Sequence, residues 1–161
     1  MNAQTIRVLT VVSLLGCALV AGVFFAFSTF VMKALGNLAP ARAIEAMQAI
    51  NEAAPTAWFM TLMFGTAVLC AVLGGDSLMR ISEVGAGYRV AGCALYFVAI
   101  VLTIGYHVPL NDVLATLDPS RAESATYWQQ YLTNWTAWNH LRTLAPLGAS
   151  ALLTLALIQS K

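Results

Sequence analysis

Two histidines, an arginine, an aspartate and several asparagines stand out in this chain because they border long apolar runs. His107, Asn111 and Asp112 close one run, and Asn139, His140 and Arg142 open another. A neutral imidazole can act as a general base near neutral pH. An ionisable side chain at membrane depth is costly unless it is paired, so it marks a candidate site. His107 and His140 are the candidate bases. The alternative for them is structural: one interfacial histidine and one satisfied, buried one. For Arg142 the alternative is snorkelling to the headgroups or pairing with Asp112.

Aromatic residues accompany these groups. Trp128, Tyr131, Trp135, Trp138 and Arg142 recur at spacings of 3, 4, 3 and 4, which places them on one stripe of a helix. Phe24, Phe25, Phe27 and Phe30 crowd the far end of the first apolar run. They read either as an interfacial belt or as the wall of a pocket for a flat apolar ligand. His107, His140 and Asp112 could in principle make a two-histidine, one-carboxylate iron set. No His-x-His, His-x-x-x-His or Cys-x-x-Cys spacing supports a metal, so no metal ligands are assigned. There is no phosphate loop and no nucleophile elbow.

The elements that must position these side chains follow from the charge distribution. Of 161 residues, 60% are hydrophobic and only 9% are Asp, Glu, Lys or Arg, too few to cover a water-facing surface. The charges leave residues 8–32, 53–75, 90–111 and 143–160 entirely free. About 20 apolar residues in a helix cross a ~30 Å hydrocarbon core. The sequence therefore predicts an all-α, multi-pass integral membrane protein: a transmembrane four-helix bundle forming one domain over 1–161, with spans near 8–32, 53–75, 90–108 and 143–160. The first span is too long for a signal-peptide core and is expected to be retained. A net charge of +1 without a basic run excludes nucleic acid as a partner. Cys17, Cys70 and Cys93 all lie in apolar runs and read as packing thiols rather than a disulfide framework.

Short amphipathic helices are predicted in the first and third connections. Pro40 suits a first helical turn, followed by Ile44, Met47 and Asn51 on one face. Pro109 predicts a break after span three and a new helix beyond it. Ala18, Gly22 and Ala26 form a small-residue stripe suited to close helix approach. Positive residues are denser in the termini and second connection than in the other two connections, which places both termini in the cytoplasm. With four spans, Asn51, His107, Asn111, Asn139, His140 and Arg142 all fall at one membrane face.

Four ordered segments, Gly22-Val-Phe-Phe-Ala-Phe-Ser-Thr-Phe-Val-Met32, Met47-Gln-Ala-Ile-Asn51, Val108-Pro-Leu-Asn111 and Trp135-x-x-Trp-Asn-His-x-Arg-Thr143, resemble the small four-span membrane proteins grouped with the anthrone oxygenases. The resemblance covers nearly the whole chain. It departs at Lys33, where the family pattern has a proline, which affects the helix end rather than the chemistry. The resemblance implies an oxidoreductase, a cofactor-independent monooxygenase with O2 as co-substrate and a flat hydrophobic, polyketide- or quinone-like substrate. It further implies proton abstraction by His140 or His107, with Asn111 and Asn139 hydrogen-bonding the substrate oxygen and Arg142 stabilising its charge. Trp135, Trp138 and Phe27 would clamp the rings, and Asn51 would join the substrate-binding set. The competing class is a non-enzymatic membrane module that binds a lipid, a quinone-like ligand or a membrane-protein partner. Expected partners are membrane lipids and a small aromatic ligand; self-association into a homo-oligomer is left open.

Overall fold

The structure, a computed structural model, describes residues 1–160. Its described residues form five helices and no strand. These are α1 (Ala3–Gly36), α2 (Pro40–Ala53), α3 (Ala57–Met79), α4 (Ala86–Ala115) and α5 (Ala122–Gln159). All but α2 are long and apolar enough to cross a membrane, so this is a multi-pass integral membrane protein with the four-span organisation read from its charges. In the bundle α1 packs on α3 and α5, and α4 packs on the same two neighbours.

The bundle interior is one apolar cluster that includes Cys17, Val20, Phe24, Cys70, Leu73, Tyr96 and Leu153. Between α1 and α3 the fit is tight enough that an added Cβ on Gly16 would collide with Thr66 Oγ1. This corrects the expected small-residue stripe. Ala18 and Gly22 are exposed, and nothing lies within 4 Å of a Cβ built on Gly22. The three cysteines are free and buried, with the Cys70 thiol in reach of both Cys17 and Cys93.

At the other end, α2 lies across the bundle as the sequence predicts. Pro40 occupies its first turn, and Ala43, Ile44 and Met47 are buried against Met32, Leu114, Trp128, Tyr131 and Trp135. Gln48 Nε2 ties it to α4 by donating to the carbonyls of Leu114 and Leu117 at 2.9 and 3.0 Å.

Two expected boundaries are corrected. In the third connection the short helix expected from Pro109 is present as Val108–Ala115, joined to the span before it by a π-turn. The stretch leading into span four is not separate from that span, because α5 runs unbroken for 38 residues with Pro146 inside it. At ~1.5 Å per residue this is far longer than the hydrocarbon core, so its N-terminal half extends the bundle past the apolar span. The chain also does not break at Pro109. Residues Thr103–His107 form a π-helical turn, and Val108 keeps helical angles of −61° and −50°. The Val108 amide donates to the Thr103 carbonyl five residues back. The widened turn shifts the bonding pattern just where proline supplies no N–H, which lets α4 continue. Phe27–Val31 makes an equivalent π-turn in α1.

Candidate functional site

A cavity of about 810 Å³ opens in the seam between the bundle core and the α2 layer. Both π-turns border it, a frequent placement for such turns in functional regions. Its walls are mostly apolar, with Phe24 and Phe27 from α1, Phe59 and Met63 from α3, and Trp135 from α5. Glu52 and Asp112 are exposed at its mouth, while Phe64, Ile104 and Val108 are exposed at its flank on α3 and α4.

Arg142 is the most unusual group in this cavity. It is only 6% exposed and has no carboxylate within 4.0 Å among the described residues. Its guanidinium lies 4.1 Å from the Phe24 ring centroid and 5.0 Å from that of Trp135. Cation–π attraction to two desolvated rings offsets part of the cost of burying the charge. Nε and Nη2 both donate to Asn139 Oδ1, at 3.0 and 2.7 Å.

Because arginine only donates, those bonds fix the orientation of the Asn139 amide. Its Nδ2 then donates to the Phe24 carbonyl at 2.8 Å and to Ser28 Oγ at 2.7 Å. The Thr143 hydroxyl donates to the Asn139 carbonyl, so the Ser28 hydroxyl donates to Thr143 Oγ1 at 3.0 Å. Asn139 is thus bonded at both ends of its amide to protein. It aims Arg142 and locks α5 to α1 at the edge of the π-turn, rather than reaching a substrate oxygen as expected.

His107 and Asn111 complete the polar wall. The His107 ring is 1% exposed and stands edge-on to Trp135, with centroids 5.0 Å apart. Its Nδ1 lies 3.0 Å from the Leu102 carbonyl, within the π-turn, and Nε2 lies 3.4 Å from the Trp135 carbonyl. The shorter contact assigns the proton of the neutral ring to Nδ1 and the lone pair to Nε2. Asn111 Oδ1 accepts from Tyr131 Oη at 2.7 Å and Trp135 Nε1 at 3.0 Å. The indole can only donate, so the Asn111 amide nitrogen is left free to donate into the cavity. The Asn51 Nδ2 is buried without a partner among the described residues. Two amides and a cation thus line one largely apolar cavity, with Asn51 packed close to Tyr131.

Of the residues expected at the site, His107, Asn111, Arg142, Trp135, Phe27 and Asn51 line this one cavity. His140 does not: it is exposed on the outer surface of α5, beyond reach of the cavity. Trp138 is also outside, 43% exposed and packed on Tyr106 at 5.1 Å between centroids. On α5 the inward stripe passes through Asn139 instead of Trp138, one position and about 100° away. His107, His140 and Asp112 consequently do not converge, and among the described residues no three His, Cys, Asp or Glu side chains cluster for a metal.

The model of a known family, anthrone oxygenase, matches residues 55–152, more than half of the chain. The chain belongs to the anthrone oxygenase family. The region matched to the anthrone oxygenases contains His107, Asn111, Trp135, Asn139 and Arg142, while Phe27 and Asn51 lie before it. No curated protein and no solved structure matches the chain.

Sequence reasoning missed Phe24 as the platform under Arg142, Tyr131 as a donor to Asn111, and the Ser28–Thr143 hydroxyl pair. Phe24 sits one turn before Phe27 and Tyr131 one turn before Trp135, so both were on the correct faces. The hydroxyl pair joins residues 115 positions apart and left no local signal.

Proposed function

We propose that the protein is a membrane oxygenase that uses O2 to oxidise the activated CH2 of a flat, hydrophobic anthrone-like ketone to a carbonyl. The observation that carries this reading is Arg142, a buried cation without a carboxylate partner among the described residues, facing a largely apolar cavity beside a histidine. Such a site favours an aromatic ligand that becomes an anion.

The chemistry proceeds in balanced steps. His107 Nε2, turned from the Trp135 carbonyl that it faces at 3.4 Å, takes one proton from the CH2, leaving an enolate whose charge spreads onto the ketone oxygen. Arg142, with the amide nitrogens of Asn111 and Asn51, stabilises that oxygen. A protonated Nε2 would find the Trp135 carbonyl as its acceptor. The electron-rich carbon passes electrons to O2 and forms a C–O bond. The peroxide takes a proton, and loss of the second C–H proton with cleavage of the O–O bond releases water. One O2 and one CH2 thus become one C=O and one H2O. The protein supplies the base, the oxyanion donors and a slot that excludes water. The anion reacts with O2 directly, with no cofactor in this reading.

The test is oxygen uptake by the protein in lipid nanodiscs with a model anthrone, repeated after exhaustive chelation, with ¹⁸O2 followed into the product carbonyl. Uptake that survives chelation and labels the carbonyl supports the proposal. Uptake no greater than that of empty nanodiscs overturns it, and activity lost together with a stoichiometric metal overturns the cofactor-free mechanism. The exposed apolar flank at Phe64, Ile104 and Val108 favours a second reading, in which the cavity holds a lipid- or quinone-like ligand from the bilayer without turnover. Saturable binding without oxygen uptake would select it.

A further inference from the structure

The opposite end of the bundle holds a second depression, of about 190 Å³, where the starts of α1 and α4 meet the end of α5. Arg7, Arg80 and Arg89 line it together with Glu83, and Ile6, Ala156 and Leu157 give it an apolar wall. Arg80 is balanced by Asp76 at 3.6 Å and Glu83 at 3.4 Å. Arg7 and Arg89 have no carboxylate within 4.0 Å among the described residues.

Arg89 is the anomaly. It is 4% exposed, its Nε donates to Ser77 Oγ at 2.9 Å, and Nη1 makes only a 3.5 Å contact with the Val84 carbonyl. Its Nη2 has no hydrogen-bond partner among the described residues. Asp76 acts on this guanidinium only through space, with no carboxylate of the described residues in contact, and the pocket it faces is where a contacting anion fits. The start of α4 lies beside it: Gly85 caps the helix in the left-handed region, with φ of 78°, and the Ala86 amide donates to the Glu83 carbonyl at 3.1 Å. The positive end of the helix dipole adds to the field around Arg89 without lining the depression itself.

We propose that this depression binds the phosphodiester of an anionic membrane lipid. Arg89 holds the phosphate from the inner wall, Arg7, whose Nη2 donates to the Ser160 carbonyl at 3.2 Å, meets it from the rim, and the acyl chains leave along the Ile6–Leu157 wall. The location suits a lipid, because the charge-free segments end here and the headgroup layer begins. The positive-charge count of the sequence also assigns this end to the cytoplasmic leaflet, where anionic lipids attract basic pockets. The same phosphate chemistry could come from free phosphate, so the test separates the two sources.

Protein in phosphatidylcholine nanodiscs, with and without phosphatidylglycerol, is compared by native mass spectrometry and by Tm. A parallel detergent series receives inorganic phosphate alone. The expected result is retention of one phosphatidylglycerol and a rise of a few degrees in Tm. Retention should weaken about fivefold for each of Arg7→Gln and Arg89→Gln, the effect of one basic side chain near an anionic headgroup. Arg7 is exposed, so R7Q remains informative if R89Q fails to fold. Phosphatidylglycerol retained no better than phosphatidylcholine, or equally by R7Q and wild type, overturns the proposal. Protection by inorganic phosphate equal to that by the lipid overturns the lipid assignment.

Discussion

Replacing Arg142 by methionine separates what its charge does from what its bulk does. Methionine retains an apolar stem against Phe24 and Trp135 and removes the cation and its donors. Two bonds to Asn139 Oδ1, at 3.0 and 2.7 Å, are lost, leaving a buried amide oxygen unsatisfied at a cost of about 1–3 kcal/mol. Removing a buried, uncompensated guanidinium contributes stability of several kcal/mol in the opposite direction. The terms oppose each other, so Tm should move by only a few degrees. Ligand binding should not be spared in the same way. A hydrogen bond to a charged partner is worth about 1.5–3 kcal/mol, so affinity for an anionic ligand should fall about 10- to 150-fold. Quenching of tryptophan fluorescence by a hydroxyanthrone reads this directly, because Trp135 lines the cavity. The fully O-methylated anthracene, in which the ketone is locked as its enol ether so that no acidic CH2 or OH remains, is the control, and it should bind both proteins alike. Equal affinity of R142M and wild type for the ionisable compound would refute the assigned role. So would an equal loss for both compounds, which would mean that shape rather than charge had changed.

Turnover of His107→Gln should fall by about 10²–10⁴-fold with KM changed only a few-fold, as for loss of a general base, whereas His140→Gln should match wild type in the same oxygen-electrode assay. Gly16→Ala should cost about 1–3 kcal/mol by thermal melting in detergent, because its Cβ meets Thr66, while Gly22→Ala should be neutral or slightly stabilising. In the loop between α4 and α5, hydrogen bonds from the Ser120 hydroxyl and amide hold the Asp118 carboxyl below its ordinary pKa, with Arg121 assisting. Its contribution is therefore complete above the ordinary carboxylate pKa and is lost as the pH falls through the depressed value. The protection of the Ser120 amide, its hydrogen exchange relative to the intrinsic rate, should fall on acidification in wild type and be pH-insensitive in Asp118→Asn.

The spans were legible because lipid permits almost no charge, so gaps between the fifteen Asp, Glu, Lys and Arg side chains marked them. The amphipathic α2 was equally legible, from Pro40 and the spacing of Ile44 and Met47. The two π-turns were not. Pro109 carries a strong local signal for a break, and only the tertiary setting, with His107 bonded to Leu102 inside the turn, overrides it. The convergence of His107, Asn111 and Arg142 on one membrane face followed from counting spans. Rotation about α5 could not be fixed as well, because Trp138 and Asn139 are neighbours in sequence and both plausible on the inner stripe. Packing chose Asn139, whose amide satisfies Arg142, the Phe24 carbonyl and Ser28 together. That choice also turns His140 outward.

The π-turns make helix type itself a determinant of the site. Each accommodates one residue more than an α-helical turn would, so the residues beyond it keep nearly the phase of a regular helix one residue shorter. Tightening Thr103–His107 to regular α-helix at constant length would instead rotate everything after it by about 100° relative to everything before. The span would remain long enough to cross a bilayer, and its composition would not change. Asn111 would nevertheless swing away from Tyr131 and Trp135, and the Gln48 anchor on Leu114 and Leu117 would lose its register. The same scaffold can thus keep or forfeit its pocket through the bonding of a single turn, invisible to hydropathy. Relatives one residue shorter between Tyr96 and Asn111 should therefore keep the same phase with a regular helix in place of the π-turn.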